Sequence, residues 1–211
     1  MNADAKWLKF KVKETSPTDK EKWKKNYIKD KDGLLYLFSG RISEPKGVHF
    51  LLHAWEKHIK QYPKDVLLLI GYGNKYDEFK KIYSNEKSIH LLGYVDYSEI
   101  YKFYAISDVF ILPTLQDNWS LVVPEAMACG LPIATSIYNG CCPELVHKDE
   151  NGITFDPYKE ETLINALDYF HHQNLKAMGQ RSIELEKNFN TENCARRVYE
   201  ALNKSLSKQK I

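Results

Sequence analysis

The chain has 211 residues, with 30 Lys and Arg against 28 Asp and Glu, a formal net charge of +2. That near balance argues against a dedicated nucleic-acid binder, which needs a strongly cationic surface. No run approaches the roughly 20 apolar residues of a membrane-spanning helix. With 43% apolar residues the chain can bury one sizeable core.

Residues 1–33 hold ten Lys and six Asp or Glu, with few apolar residues beyond Trp7, Leu8, Phe10 and Trp23. This reads as a linker or domain edge rather than a core segment. Residues 1–6 contain no apolar stretch, so no secretory signal is expected. From Gly33 the texture changes. The run Leu-Leu-Tyr-Leu-Phe at 34–38 predicts a buried strand, and Val48, Leu51, Leu52, Trp55 and Ile59 follow the spacing of an amphipathic helix. The alternation repeats: strands at 66–70, 89–92, 108–112, 132–135 and 153–155, and helices around 75–85, from 97, and over 120–130 with Cys129-Gly130 closing the last. The remainder reads as helical, through Leu163, Ile164, Leu167 and Phe170 and then Ala195, Val198, Tyr199, Leu202 and Leu206. Apolar strands alternating with amphipathic helices imply right-handed βαβ crossovers and a parallel sheet covered on both faces. The expectation is an α/β, Rossmann-like, doubly wound domain over 34–190, with a C-terminal helix at 191–211. Ligands of such sheets bind beyond the carboxyl ends of the strands. The loops that matter are therefore 39–47, 71–76, 93–97, 113–120 and 136–144.

In the first of these loops Arg41 and Lys46, flanked by Gly40 and Gly47, place two cations at one strand mouth. Arg offers a donor fork for phosphate and Lys a point charge. Gly71-Tyr72-Gly73 is an incomplete dinucleotide fingerprint, since no glycine follows at 76, and reads as a glycine-lined turn. Pro124 fits only the first turn of a helix, so the helix after 113–120 opens near 120–123. Its unpaired N–H groups make an anion site. Glu125 lies just inside that helix, where a carboxylate can accept from both hydroxyls of a diol or simply complement the helix dipole. Asp117 lies in the preceding loop, near the same anion site or as a turn-forming Asx. The four cysteines, at 129, 141, 142 and 194, form no Cys-x-x-Cys pair and read as free thiols in a reducing compartment. His147, His171 and His172 stand at no metal spacing. Asp30-Lys31-Asp32 has the spelling of an Asp-x-Asp metal site but precedes the first strand, and reads as a solvated turn.

Taken in order, Gly-Arg41-x4-Lys46-Gly47, Gly71-x-Gly73, the strand-Pro-Thr loop, Asp117-x7-Glu125 with Glu-Ala-Met-Ala-Cys-Gly-Leu-Pro, Pro143-Glu144-Leu-Val and Asn151-Gly152-Ile resemble the C-terminal, donor-binding domain of family 4 (group 1) retaining GT-B glycosyltransferases. The resemblance runs over about 34–170. It implies a nucleotide-diphosphate sugar as substrate, no cofactor and no metal. It gives Arg41, Lys46 and Asp117 the catalytic roles. Gly40, Arg41, Lys46, Ser120, Leu121 and Val122 would hold the diphosphate, Glu125 the ribose, and Gly71, Tyr72, Gly73, Tyr94 and Val95 the base. It departs from the family at Asp117, where Glu is usual, and at Trp119-Ser120, where Phe-Gly is usual, both in the sugar pocket. The fold has two Rossmann-like halves, and this chain matches one. An N-terminal acceptor domain is thus the implied partner, in the same parent chain or a separate subunit, with residues 1–33 as the lead-in from it. An exposed apolar face is expected near Trp7, Trp23 and the last helix, where that domain would dock. That half would also allow peripheral membrane association, and the implied location is the cytoplasm or its membrane face. The acceptor would be a glycan, lipid or polysaccharide precursor. The rival functions are a non-catalytic nucleotide-sugar-binding subunit and a nucleotide-sugar epimerase or phosphorylase on the same fold.

Overall fold

A computed structural model describes residues 5–30, 32–189 and 191–208. Lys31 of the Asp-x-Asp spelling, the start of the segment read for a leader and the last three residues of the C-terminal helix lie outside them.

Six strands alternate with helices as the apolar runs require: β1 (Leu35–Ser39), β2 (Val66–Ile70), β3 (Ile89–Gly93), β4 (Val109–Leu112), β5 (Ile133–Ser136) and β6 (Gly152–Phe155). They form one sheet in the order β3-β2-β1-β4-β5-β6, and every pairing is parallel. β1, β2, β4 and β5 are buried at every position. Both sheet faces must therefore be covered, which is why these strands read as unbroken apolar runs rather than alternating ones. The helices are α1 (Ala5–Glu14), α2 (Pro17–Lys24), α3 (Val48–Gln61), α4 (Tyr76–Ile82), α5 (Tyr97–Ile106), α6 (Val122–Ala128), α7 (Cys142–Leu145), α8 (Glu160–Tyr169), α9 (Leu175–Glu186) and α10 (Thr191–Lys208). α3 packs on α8, while α1, α2, α5, α6 and α9 form the other helical group. The connection reverses direction between β1 and β4, and the mouth of the fold opens there.

Residues 5–28 depart from the expected linker. They form α1 and α2 and bury Leu8, Val12 and Ile28 in the common core. Trp7 stacks on Tyr97 with ring centroids 5.2 Å apart, and Trp23 meets the edge of Tyr101 at 6.1 Å. These two tryptophans therefore pack on α5 rather than forming an exposed face. Only the α10 half of that expectation holds: Val198, Tyr199, Leu202 and Leu206 are each more than half exposed.

Candidate active site

The loops at the carboxyl ends of the strands are joined by backbone hydrogen bonds into one floor. The β1 loop is the hub. The Ile42 N–H donates to Tyr72 O (3.3 Å) and the Lys75 N–H to Ile42 O (3.2 Å), tying it to the β2 loop. The Leu115 N–H donates to Pro45 O (2.8 Å), and the Thr114 hydroxyl to the same carbonyl, tying it to the β4 loop. The β4 loop in turn pairs with the β5 loop, where the Gly140 N–H donates to Asp117 O (2.8 Å).

Two glycines are required by these approaches. Gly47 has φ +65°, and a Cβ there would lie 2.0 Å from Pro113 O. Gly71 has φ +132°, and its Cβ would lie 1.9 Å from Gly40 O. Packing of loop backbones accounts for the Gly71-x-Gly73 spelling without a ligand. Tyr72 and Tyr94 stand exposed at the ends of β2 and β3, with the Tyr72 hydroxyl donating to Asp77 (3.0 Å) and Val95 half-buried beside them.

On this floor the structure brings together residues 71 positions apart. Lys46, at the end of a 3₁₀ turn, forms an ion pair with Asp117. Asp117 also accepts from the Trp119 N–H (3.2 Å). Burial alone would raise its carboxyl, but the Lys46 ammonium prevails and holds it below the usual carboxylate range. Arg41 is exposed, and its guanidinium makes no hydrogen bond or ion pair among the described residues.

Ser120 is buried. Its hydroxyl acts on the Asp117 charge but makes no hydrogen bond of ordinary geometry. α6 begins at Val122, so Pro124 falls in its first turn as its ring demands. The amides of Leu121 and Val122 make no backbone hydrogen bond among the described residues, whereas that of Ser120 is directed to the Cys141 sulfur. Glu125 is 7% exposed. Burial pushes its carboxyl up to about 7, against the lowering effect of the Tyr104 hydroxyl, which donates to it over 3.4 Å. Tyr104 also reaches Ser39 at the end of β1, so Glu125 sits beneath the β1–β4 mouth.

A nucleophilic thiol finds no support here. Burial pushes Cys141 up to about 12 and Cys142 up to about 11, and their Sγ–H groups donate to Asn139 and to Ser136 O. Asp30 and Asp32 form the expected turn, with the Asp32 N–H donating to Asp30 and Lys64 bridging both carboxylates, at the amino end of β1 and away from the mouth. His171, which stands at no metal spacing in the sequence, is brought by the fold to Asp65, with its Nε2 2.7 Å from Oδ2. Residues 65 and 171 are 106 positions apart, and no local motif signals the contact.

The family model described as glycosyl transferases group 1 matches residues 19–192. The chain belongs to this family. Among curated relatives it is 29% identical over 180 residues to the alpha-monoglucosyldiacylglycerol synthase of Acholeplasma laidlawii, covering 82% of this chain and 44% of that protein. It is 34% identical over 130 residues to spore coat protein SA of Bacillus subtilis, covering 56% and 34%. The chain thus spans less than half the length of these relatives. Among solved structures, a glycosyltransferase from Rickettsia africae superposes with a TM-score of 0.77 at 20% identity, over 98% of this chain and 55% of that one. The C-terminal domain of the group 1 protein LpcC from Francisella tularensis superposes with a TM-score of 0.68 at 23% identity, over 82% of this chain and 93% of that domain. The family match, with the fold shared with an isolated C-terminal domain, bears out the resemblance drawn from the loop motifs: one Rossmann-like half of a GT-B fold.

Proposed function

We propose that this chain binds the donor of a retaining glycosyltransferase, a nucleotide-diphosphate sugar, and that a second domain supplies the acceptor. The observation that carries the reading is the convergence of Arg41, the Lys46–Asp117 pair and buried Glu125 on the mouth between β1 and β4. The solved structure of Anabaena HepE in complex with UDP and glucose, which shares this fold over 90% of the chain with a TM-score of 0.75, supports a nucleoside diphosphate as the ligand class.

Arg41, with its guanidinium unengaged, takes the diphosphate first. As phosphate arrives, the Lys46 ammonium exchanges Asp117 for a phosphate oxygen, and Asp117 is released toward the sugar hydroxyls. Both cations then neutralise the charge that grows on the leaving diphosphate, an electrostatic role that needs no metal. Glu125 accepts from the ribose hydroxyls, and Tyr72 and Tyr94 flank the base. The chain alone transfers no sugar, because the acceptor side of the cleft lies in the part of the relatives it does not span.

Calorimetry tests this. The purified chain should bind a nucleoside diphosphate equally with magnesium or with a chelator, and should release no sugar from the intact donor to an acceptor. Robust transfer by the 211-residue chain, or binding that depends on magnesium, would refute the reading.

A further inference from the structure

At the amino end of the sheet, remote from the mouth, four side chains from three segments converge. His58 is on α3, Asp65 directly precedes β2, and Asp168 and His171 lie on α8 and the turn after it. His58 Nε2 and His171 Nε2 both approach Asp65 Oδ2, at 2.8 and 2.7 Å, and the three ligand-capable atoms lie within 4.8 Å of one another. His58 and Asp65 are fully buried, and His171 is nearly so.

The atoms that do not face the centre are tied down. His58 Nδ1 is held by Asp168 Oδ1 at 2.6 Å, and Asp65 Oδ1 accepts the Leu34 N–H at 2.8 Å. The His171 ring is stacked face to face on Tyr62, with centroids 3.7 Å apart. In metal sites a ligating imidazole characteristically passes its second nitrogen to a carboxylate, which fixes tautomer and ring plane. His58 and Asp168 have that arrangement.

We infer that His58, Asp65 and His171 form a structural site for a divalent transition metal of the zinc class. Two neutral imidazoles and one carboxylate suit such an ion rather than magnesium or calcium, which take oxygen donors. Tetrahedral bonds of about 2.0–2.1 Å set neighbouring ligand atoms about 3.3 Å apart, so the two N···O distances open by roughly half an ångström on binding. His171, in a short turn at the margin of the cluster and its most exposed ligand, is the member that would move. A water completes the coordination. Because α3, the lead-in to β2 and the end of α8 would share the ion, it would staple the two sides of that helical layer to the sheet.

The test uses the chelator-treated chain titrated with zinc by calorimetry and with cobalt by visible absorption. One zinc per chain, a raised melting temperature and the visible bands of four-coordinate cobalt are expected. His171→Ala should weaken zinc at least a hundredfold, and Asp168→Asn, which removes only the positioning carboxylate, about tenfold. His171 lies at the edge of the cluster, so its variant keeps the test open if changes at Asp65 fail to fold. Absence of saturable zinc binding, or undiminished affinity in His171→Ala, would overturn the proposal. In the first case the cluster is an ion-free hydrogen-bonded network, and in the second zinc binds elsewhere on the chain. None of these outcomes bears on nucleotide binding.

Discussion

The polar cluster at the amino ends of β1 and β2 and the one at the β1–β4 mouth treat their groups in opposite ways. At the amino end both nitrogens of His58 face carboxylates, Asp65 is contacted by His58, His171 and the Leu34 N–H, and Asp108 is held by Lys24 and the Leu35 N–H. At the carboxyl end Arg41 has no partner among the described residues, the Ser120 hydroxyl has no bond of ordinary geometry, and Glu125 has one long one. Buried polar groups with all their bonds made hold a fold rigid; groups left short of partners store binding capacity at a cost in stability. The difference separates the part of the molecule whose polar groups knit its segments together from the part proposed to receive the nucleotide.

The sharpest way to break this contrast is to swap the consequences of mutation at the two ends. Asp65→Ala strands two imidazoles and an amide, and breaking a buried charged cluster costs about 3–5 kcal/mol. Denaturant titration should show that loss, while the molecules that remain folded keep their nucleotide affinity. A drop in affinity without a drop in stability would erase the distinction.

Glu125 should behave in the opposite way. Its folded-state pKa, about 7, lies above the ordinary 4.5. The native state therefore binds the proton more tightly, and stability falls as pH rises from about 4.5 to 7. That penalty is full above 7, at no more than about 3 kcal/mol. Glu125→Gln should gain on the wild type over this window in melting temperature, then hold a constant lead, while losing affinity for nucleoside diphosphate. A mutant that melts in parallel with wild type from pH 4.5 to 8 would show that the carboxylate is solvated in the native state.

Arg41→Ala removes one charge-assisted contact, worth about 1.5–3 kcal/mol. Nucleoside diphosphate should bind at least tenfold more weakly by calorimetry, with the melting temperature unmoved, because nothing described in the fold leans on that guanidinium. Asp117→Asn is smaller and more selective. It frees Lys46 from its ion pair, so the bare nucleoside diphosphate should bind as well as before or slightly tighter, while the intact nucleotide sugar weakens. Equal weakening of both would put Asp117 on the phosphates. Replacing Asp30 and Asp32 by Ala should change neither affinity nor melting temperature measurably, since both are bridged at the surface.

The strands and the loops at their ends were legible in the sequence because fully buried strands have no polar face to blur the run, and because Gly47 and Pro124 sit where the backbone permits little else. α1 was not. Its four lysines are interleaved with its apolar residues, and only Leu8 and Val12, four apart on one face, are buried. The Lys46–Asp117 pair was legible as two charges near one mouth but not as a contact, because a βα loop gives no periodicity from which to read direction. The cluster at the amino end left no trace at all. Its members come from 58, 65, 168 and 171, and each alone is an ordinary helix or loop residue.

The strand order has a consequence for the making of the protein. β1 is first of the strands in sequence and central in space, bonded to β2 on one side and β4 on the other. As synthesis proceeds, β1, β2 and β3 can pair once residue 93 is available, giving a three-stranded half-sheet with α3 against one face. In that intermediate the β1 loop lacks the Leu115 bond to Pro45 and the Asp117 partner of Lys46, and Leu35 lacks the Asp108 cap on its amide. The proposed donor site would thus be complete only after α6 has been made and docked. A ribosome stalled before residue 128 should display a partly folded nascent chain with no affinity for nucleotide.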